Sequence, residues 1–237
     1  MSKRVIGVVV ALAIIVVAGL VALQLRNKDS SRSDSALQKA AKEADTLLAG
    51  IPQQGEYLGN TSAPVTITEF LDYKCPVCKA AETTVVPQLI TKYVRPGTAR
   101  IRLRPILLGA QSSGQAVSNL GPDSEIGALA GIATADSNRM WQFTKIMYAT
   151  QGNESTQWIT DGVVTNAVKA AGIDVGKWQP VYKGNDVVNT LFANIDAANT
   201  AHYTGTPYFV VSGPKGTEGI KNWNDLASYE TAVNKVK

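Results

Sequence analysis

Two cysteines, Cys75 and Cys78, stand three residues apart, and the 237-residue chain has no others. A pair at this spacing suits thiol–disulfide exchange, a structural staple, or a non-enzymatic module that holds a soft metal. The staple is physically the weakest of the three, because so small a loop removes little freedom from the unfolded chain. A four-ligand Cys/His zinc site is unavailable within one chain, since His202 is the single histidine. Exchange leads. It requires a thiolate, and the neighbouring residues place one cysteine where a thiolate is favoured. Residues 64–72 (PVTITEFLD) are β-branched and apolar and predict a buried strand, and the stretch after Cys78 predicts a helix. Cys75 then falls where the helix begins, beside unpaired backbone N–H groups and the positive end of the helix dipole. That makes Cys75 the expected nucleophile. Cys78, one turn later on the same face, is the expected buried resolving thiol. Pro76 suits the first turn, where its missing N–H costs nothing.

The elements around this pair follow from composition and punctuation. Residues 26–34 are polar and read as a linker, and residues 35–49 as a helix stopped by Gly50 and Pro52. Pro87 predicts a kink or break in the helix after the cysteines. Residues 99–107 alternate apolar and basic side chains as a second strand would, with Arg100, Arg102 and Arg104 on one, solvated, face. From about 124 to 200 helical stretches recur between glycines, and Trp141, Phe143 and Met147 fall at core-like helical spacing. Residues 207–212 (PYFVVS) predict a compact strand, followed by a turn at 213–216, a short strand and a C-terminal helix over 224–236.

Residues 5–25 carry no charge and, as a helix, would span about 31 Å, enough for the hydrocarbon core of a bilayer. This run is long for the apolar region of a cleaved signal peptide, so it predicts an uncleaved membrane anchor. Residues 1–32 contain the whole net charge of +4, and the remainder is balanced at 18 basic against 18 acidic side chains. Electrostatics therefore offers no case for nucleic acid. Basic residues lie on both sides of the apolar run, so charge alone does not orient it. An exchange site that makes disulfides belongs in an oxidising compartment, which puts the N-terminus in the cytoplasm and the domain outside. The expected order is tail 1–4, anchor 5–25, linker and leading helix 26–52, and a domain over 53–237.

Six segments, in order, resemble the DsbA-like branch of the thioredoxin superfamily in its bacterial membrane-anchored or secreted form. They are residues 50–59 (GIPQQGEYLG), 63–78 (APVTITEFLDYKCPVC), 93–97 (YVRPG), 121–125 (GPDSE), 140–155 (MWQFTKIMYATQGNES) and 205–211 (GTPYFVV). The resemblance implies an α/β thioredoxin fold with a helical domain inserted at about 122–200. It implies a cis Thr206–Pro207 bond beside the cysteines, with the Thr206 backbone pairing to an extended substrate and Pro76 and Val77 touching it. Pro207 and Glu69 join Cys75 and Cys78 as catalytic candidates. Glu69 matches by position the buried acid that serves the resolving cysteine, although strand alternation leaves open whether it faces core, an ion pair or solvent. The archetype has Pro-His between its cysteines, whereas Val77 here cannot stabilise a thiolate. The implied activity is oxidation of dithiols in exported proteins without a cofactor beyond the Cys75–Cys78 disulfide. The implied partner is a quinone-linked membrane reoxidase of the DsbB or vitamin-K-epoxide-reductase type. A reductase or isomerase using the same residues remains the enzymatic alternative. Of the other candidates, His202 reads as a surface residue, and Tyr73 and Tyr208 either touch substrate or pack.

Overall fold

A computed structural model describes residues 34–110 and 117–237. The expected membrane segment, residues 5–25, lies outside the described residues. Among the described residues no helix is long and apolar enough to cross a membrane. The chain divides into a unit over residues 1–39 and one over residues 40–237. Residues 34–48 are helical (α1). All elements discussed below belong to the second unit.

Six strands among the described residues form one mixed sheet: β1 (Gln53–Gln54), β2 (Tyr57–Leu58), β3 (Val65–Leu71), β4 (Ala99–Pro105), β5 (Tyr208–Gly213) and β6 (Gly216–Ile220). Their order is β1-β2-β4-β3-β5-β6. The central pair, β3 and β4, is parallel and in register from Val65↔Ala99 to Leu71↔Pro105. β5 runs antiparallel along the other side of β3, pairing Glu69 with Phe209. Strand parity sets the core: Val65, Ile67, Glu69 and Leu71 share one face of β3 and are all fully buried. Glu69 is thus an acid in an apolar row. Its facing choice, left open by the sequence, goes to the core.

The crossover from β3 to β4 is helical and interrupted. α2 (Pro76–Thr83) ends at Thr84, and α3 (Val85–Leu89) begins again around Pro87. A ring at position 87 has no N–H for the carbonyl of residue 83, so the break falls where the sequence predicts it. A π-helical turn, Ile90–Val94, continues the crossover, and Gly97, at φ +76°, turns the chain toward β4. Between β4 and β5 lie α4 (Asp123–Ala133), α5 (Met140–Ala149), α6 (Asp161–Ala170), α7 (Val175–Tyr182) and α8 (Asn185–Thr200). They pack on one another around Trp141, Phe143, Met147, Val164, Trp178 and Leu191, all essentially buried. The C-terminal helix α9 (Leu226–Val236) packs on β5 and β6, with Tyr229 edge-on to Phe209.

The arginine face of β4 is not simply solvated, because the β1–β2 hairpin lies along that strand, pairing Tyr57 with Arg102. Arg100 and Arg102 sit over the Tyr57 ring at 4.3 and 5.2 Å, and Arg102 is ion-paired to Glu56. Two-residue strands carry no usable alternation, so the hairpin left no periodic signal.

Candidate active site

The loop Asp72–Lys74 delivers the chain from β3 to α2, and each of its side chains is buried. Asp72 accepts hydrogen bonds from the backbone N–H groups of Lys74 (2.9 Å) and Leu108 (3.0 Å) and from the Ser118 hydroxyl (2.8 Å). Tyr73 points into the helical insertion, its hydroxyl 2.9 Å from that of Thr144. Gly127 and Gly131 of α4 make the room: a Cβ on Gly127 would lie 3.1 Å from Tyr73 Cβ, and one on Gly131 would meet the phenol oxygen. Packing therefore accounts for Tyr73, which has no surface for substrate. Lys74 completes the loop with a buried ion pair to Asp123 (2.7 Å), the two side chains 2% and 4% exposed.

With the loop held, Cys75 becomes the N-cap of α2. Its backbone is extended (φ −71°, ψ 119°) and its sulfur accepts the Cys78 N–H at 3.4 Å. The Cys75 thiol in turn donates to the Thr206 carbonyl at 3.3 Å. The Thr206–Pro207 bond is cis. Both thiols are free and both cysteines are buried, while Pro76 and Val77 between them are exposed. The Cys75 thiol is lowered to about 6, chiefly by its hydrogen bond with the Cys78 side chain; burial opposes this, and Thr206 and the N–H groups of Cys78 and Val77 assist. Thr206 Oγ1 is buried with no hydrogen-bond partner, which leaves its proton for a thiolate. Cys78 moves the other way. Burial first, then its contact with Cys75, pushes its thiol well above the ordinary value.

Below the cysteines, Glu69 is fully buried and neither of its oxygens has a hydrogen-bond partner. Burial raises it well above the ordinary carboxylate range, the neighbouring Glu82 charge raises it further, and Lys145 opposes both. Glu82, from α2, is ion-paired to Lys145 of α5, whose ammonium also donates to the Glu82 carbonyl at 2.9 Å. The Glu69 charge is felt at Cys78, where it raises the thiol. Sequence reasoning missed Glu82 and Lys145. A signal existed for Glu82, four residues after Cys78 and so on the same helical face. Lys145 comes from a distant helix and had none. His202 is exposed, and a cavity of about 440 Å³ opens beside Pro207 between His202, Tyr208, Ile220, Lys221 and Trp223.

This arrangement pairs an ionisable sulfur at a helix start with a protonated partner and a buried acid. The family model described as Thioredoxin matches residues 53–229, about three quarters of the chain. The chain belongs to the thioredoxin family. Within it, the chain is a DsbA-like protein disulfide oxidoreductase. It is 26% identical over 212 residues to the probable disulfide bond formation protein D of Bacillus cereus, covering 88% of this chain and 87% of that protein. It is also 26% identical over 115 residues to disulfide bond formation protein D of Bacillus subtilis, covering 48% and 47%. Among solved structures, oxidised BdbD from Bacillus subtilis superposes with a TM-score of 0.64 at 22% identity, over 78% of this chain and 96% of that one. MdbA, a thiol-disulfide oxidoreductase from Corynebacterium diphtheriae, does so with a TM-score of 0.58 at 18% identity, over 77% and 93%. Such identities speak for the shared fold.

Proposed function

We propose that this DsbA-like protein works as an oxidase, making disulfides in exported proteins from an anchor formed by residues 5–25, with residues 1–4 cytoplasmic and the domain outside. The observation that carries the direction is the place of the Cys75 sulfur at the N-cap of α2, accepting the Cys78 N–H at 3.4 Å, a setting that lowers its thiol to about 6. In the oxidised protein a substrate thiolate attacks the Cys75 sulfur. The Cys75–Cys78 bond breaks, and Cys78 leaves toward a buried setting that favours its protonated form. Glu69, raised well above the ordinary carboxylate range by burial, is the group suited to supply that proton. The second substrate thiolate then attacks the substrate sulfur of the mixed disulfide, and Cys75 departs as a thiolate. Two electrons have passed to the protein and the substrate holds a new disulfide. A low thiol pKa makes Cys75 a good leaving group and stabilises the reduced protein, which is what makes its disulfide oxidising.

Other residues guide the substrate. The Thr206 carbonyl, 3.3 Å from the Cys75 sulfur, and the adjoining Pro207 are suited to pair with an extended segment, as in strand addition. The exposed Pro76 and Val77 complete the contact surface. A quinone-linked membrane protein of the DsbB or vitamin-K-epoxide-reductase type returns the dithiol to the disulfide. The reductase reading uses the same atoms in reverse, and Val77, 42% exposed and apolar where the archetype has histidine, is the observation that favours it.

The direction is tested by mixing oxidised protein with one equivalent of a reduced dithiol peptide at pH 7. The expected result is near-complete conversion to peptide disulfide and reduced protein. A peptide that stays reduced beside an oxidised protein would make the protein a reductase.

A further inference from the structure

The helical insertion does more than cover the sheet: the end of α5 reaches the carbonyl groups of the loop that carries the nucleophile. The Tyr148 hydroxyl donates to the Asp72 carbonyl at 3.0 Å. Two residues past the helix, the Gln151 side-chain amide donates to two carbonyls, those of Tyr73 at 2.9 Å and Cys75 at 3.1 Å. Gln151 is itself held in place. Its N–H returns to the Tyr148 carbonyl, and Gly152 lies so close to Trp158 that a Cβ would come within 2.7 Å of the indole.

We infer that Gln151 is a positioning residue for the exchange reaction, fixing the Cys75 backbone and offsetting the negative end of its carbonyl beside the sulfur. This rests on the proposed role of Cys75 as nucleophile. The Cys75 carbonyl opens α2, accepting the Lys79 N–H at 3.2 Å, so its orientation fixes where the helix starts relative to the sulfur. An amide NH₂ has two hydrogens, which match the two carbonyls. Without that donor the two oxygens lose a partner, and their uncompensated negative ends oppose a thiolate. Cys75 thus sits at the meeting of two parts of the fold, its sulfur held by the Thr206 carbonyl from the sheet side and its own carbonyl by the Gln151 amide from the insertion.

Gln151→Met keeps the length of the side chain and removes the donor, and Gln151→Glu replaces it with an acceptor. The thiolate absorbance of reduced protein, followed across pH, gives the Cys75 midpoint for the parent and both variants. The parent should titrate near 6. The methionine variant should shift upward by at least about half a unit, a threefold loss in the equilibrium constant for ionisation, and the glutamate variant further. Urea unfolding of both redox forms separates positioning from simple bracing. Positioning weakens the reduced form more than the oxidised one, and bracing weakens both equally. A parent midpoint near 6 with both variants unchanged, or an equal loss of stability in the two redox forms with no shift, overturns the role of Gln151 alone. A parent midpoint at the ordinary 8.5 overturns the assignment of Cys75 and this inference with it. If one variant fails to fold, the other decides by the same midpoint.

Discussion

Cys78→Ala protein, incubated with reduced and oxidised substrate, is expected to accumulate mixed disulfides through Cys75, whereas Cys75→Ala protein is expected to form almost none. Exposure does not make this distinction, because Cys75 is 3% exposed and Cys78 0%. Ionisation does. At neutral pH the Cys75 thiol, lowered to about 6, is mostly thiolate, while burial keeps Cys78 protonated. Removing Cys78 leaves the attacking sulfur and takes away the group that would resolve the intermediate. Removing Cys75 should lower exchange by roughly three orders of magnitude or more, as loss of a covalent nucleophile commonly does. Non-reducing gels and intact mass read the outcome. Trapping by Cys75→Ala and not by Cys78→Ala would reverse the two roles.

Lys74→Ala is expected to destabilise the protein by about 3–5 kcal/mol, because it strands the buried Asp123 carboxylate in the wall of the catalytic loop. The Lys74–Asp123 pair, at 2.7 Å, is almost wholly removed from water. Asp123 also accepts the Ile159 N–H at 3.0 Å, so the lost lysine unbalances a junction of loop, α4 and the segment before α6. Lys74→Met combined with Asp123→Leu should recover most of the loss while leaving that N–H without its acceptor. Urea titration of the single and double variants checks the ordering. By contrast, Lys92→Ala should leave the midpoint unchanged, since its partner Glu230 is 55% exposed and the pair is screened by solvent. Equal midpoints for Lys74→Ala and the parent would show that the buried pair does not hold the loop.

Much of the site was legible because it is local. Cys75, Pro76, Val77 and Cys78 are contiguous, and the strand before them and helix after them are declared by β-branched residues and by Pro76. The cis Thr206–Pro207 bond was available only through resemblance, since no local pattern distinguishes it from an ordinary proline. Glu69 could have been placed by parity: Val65, Ile67 and Leu71 occupy the same alternation, and their apolar character marks that face as core. Lys145, Tyr148 and Gln151 were beyond reach for another reason. They meet the loop only after the insertion has folded back on it, and sequence separation hides that contact. The same holds for Lys74, whose buried partner Asp123 lies 49 residues further along the chain. The β1–β2 hairpin was too short to show a period at all.

The equilibrium between the protein dithiol and glutathione, followed from pH 4 to pH 8, tests the central claim most directly. Cys75 has a folded pKa below that of an ordinary thiol, so its stabilisation of the reduced protein is complete only above about 8.5 and is lost as pH falls through about 6. The constant for reducing the protein disulfide with glutathione should therefore be flat below pH 6. Above it, the constant should rise close to tenfold per pH unit, about 30 mV each. A constant that stays flat to pH 8 would mean that Cys75 titrates like any cysteine, and would contradict the account.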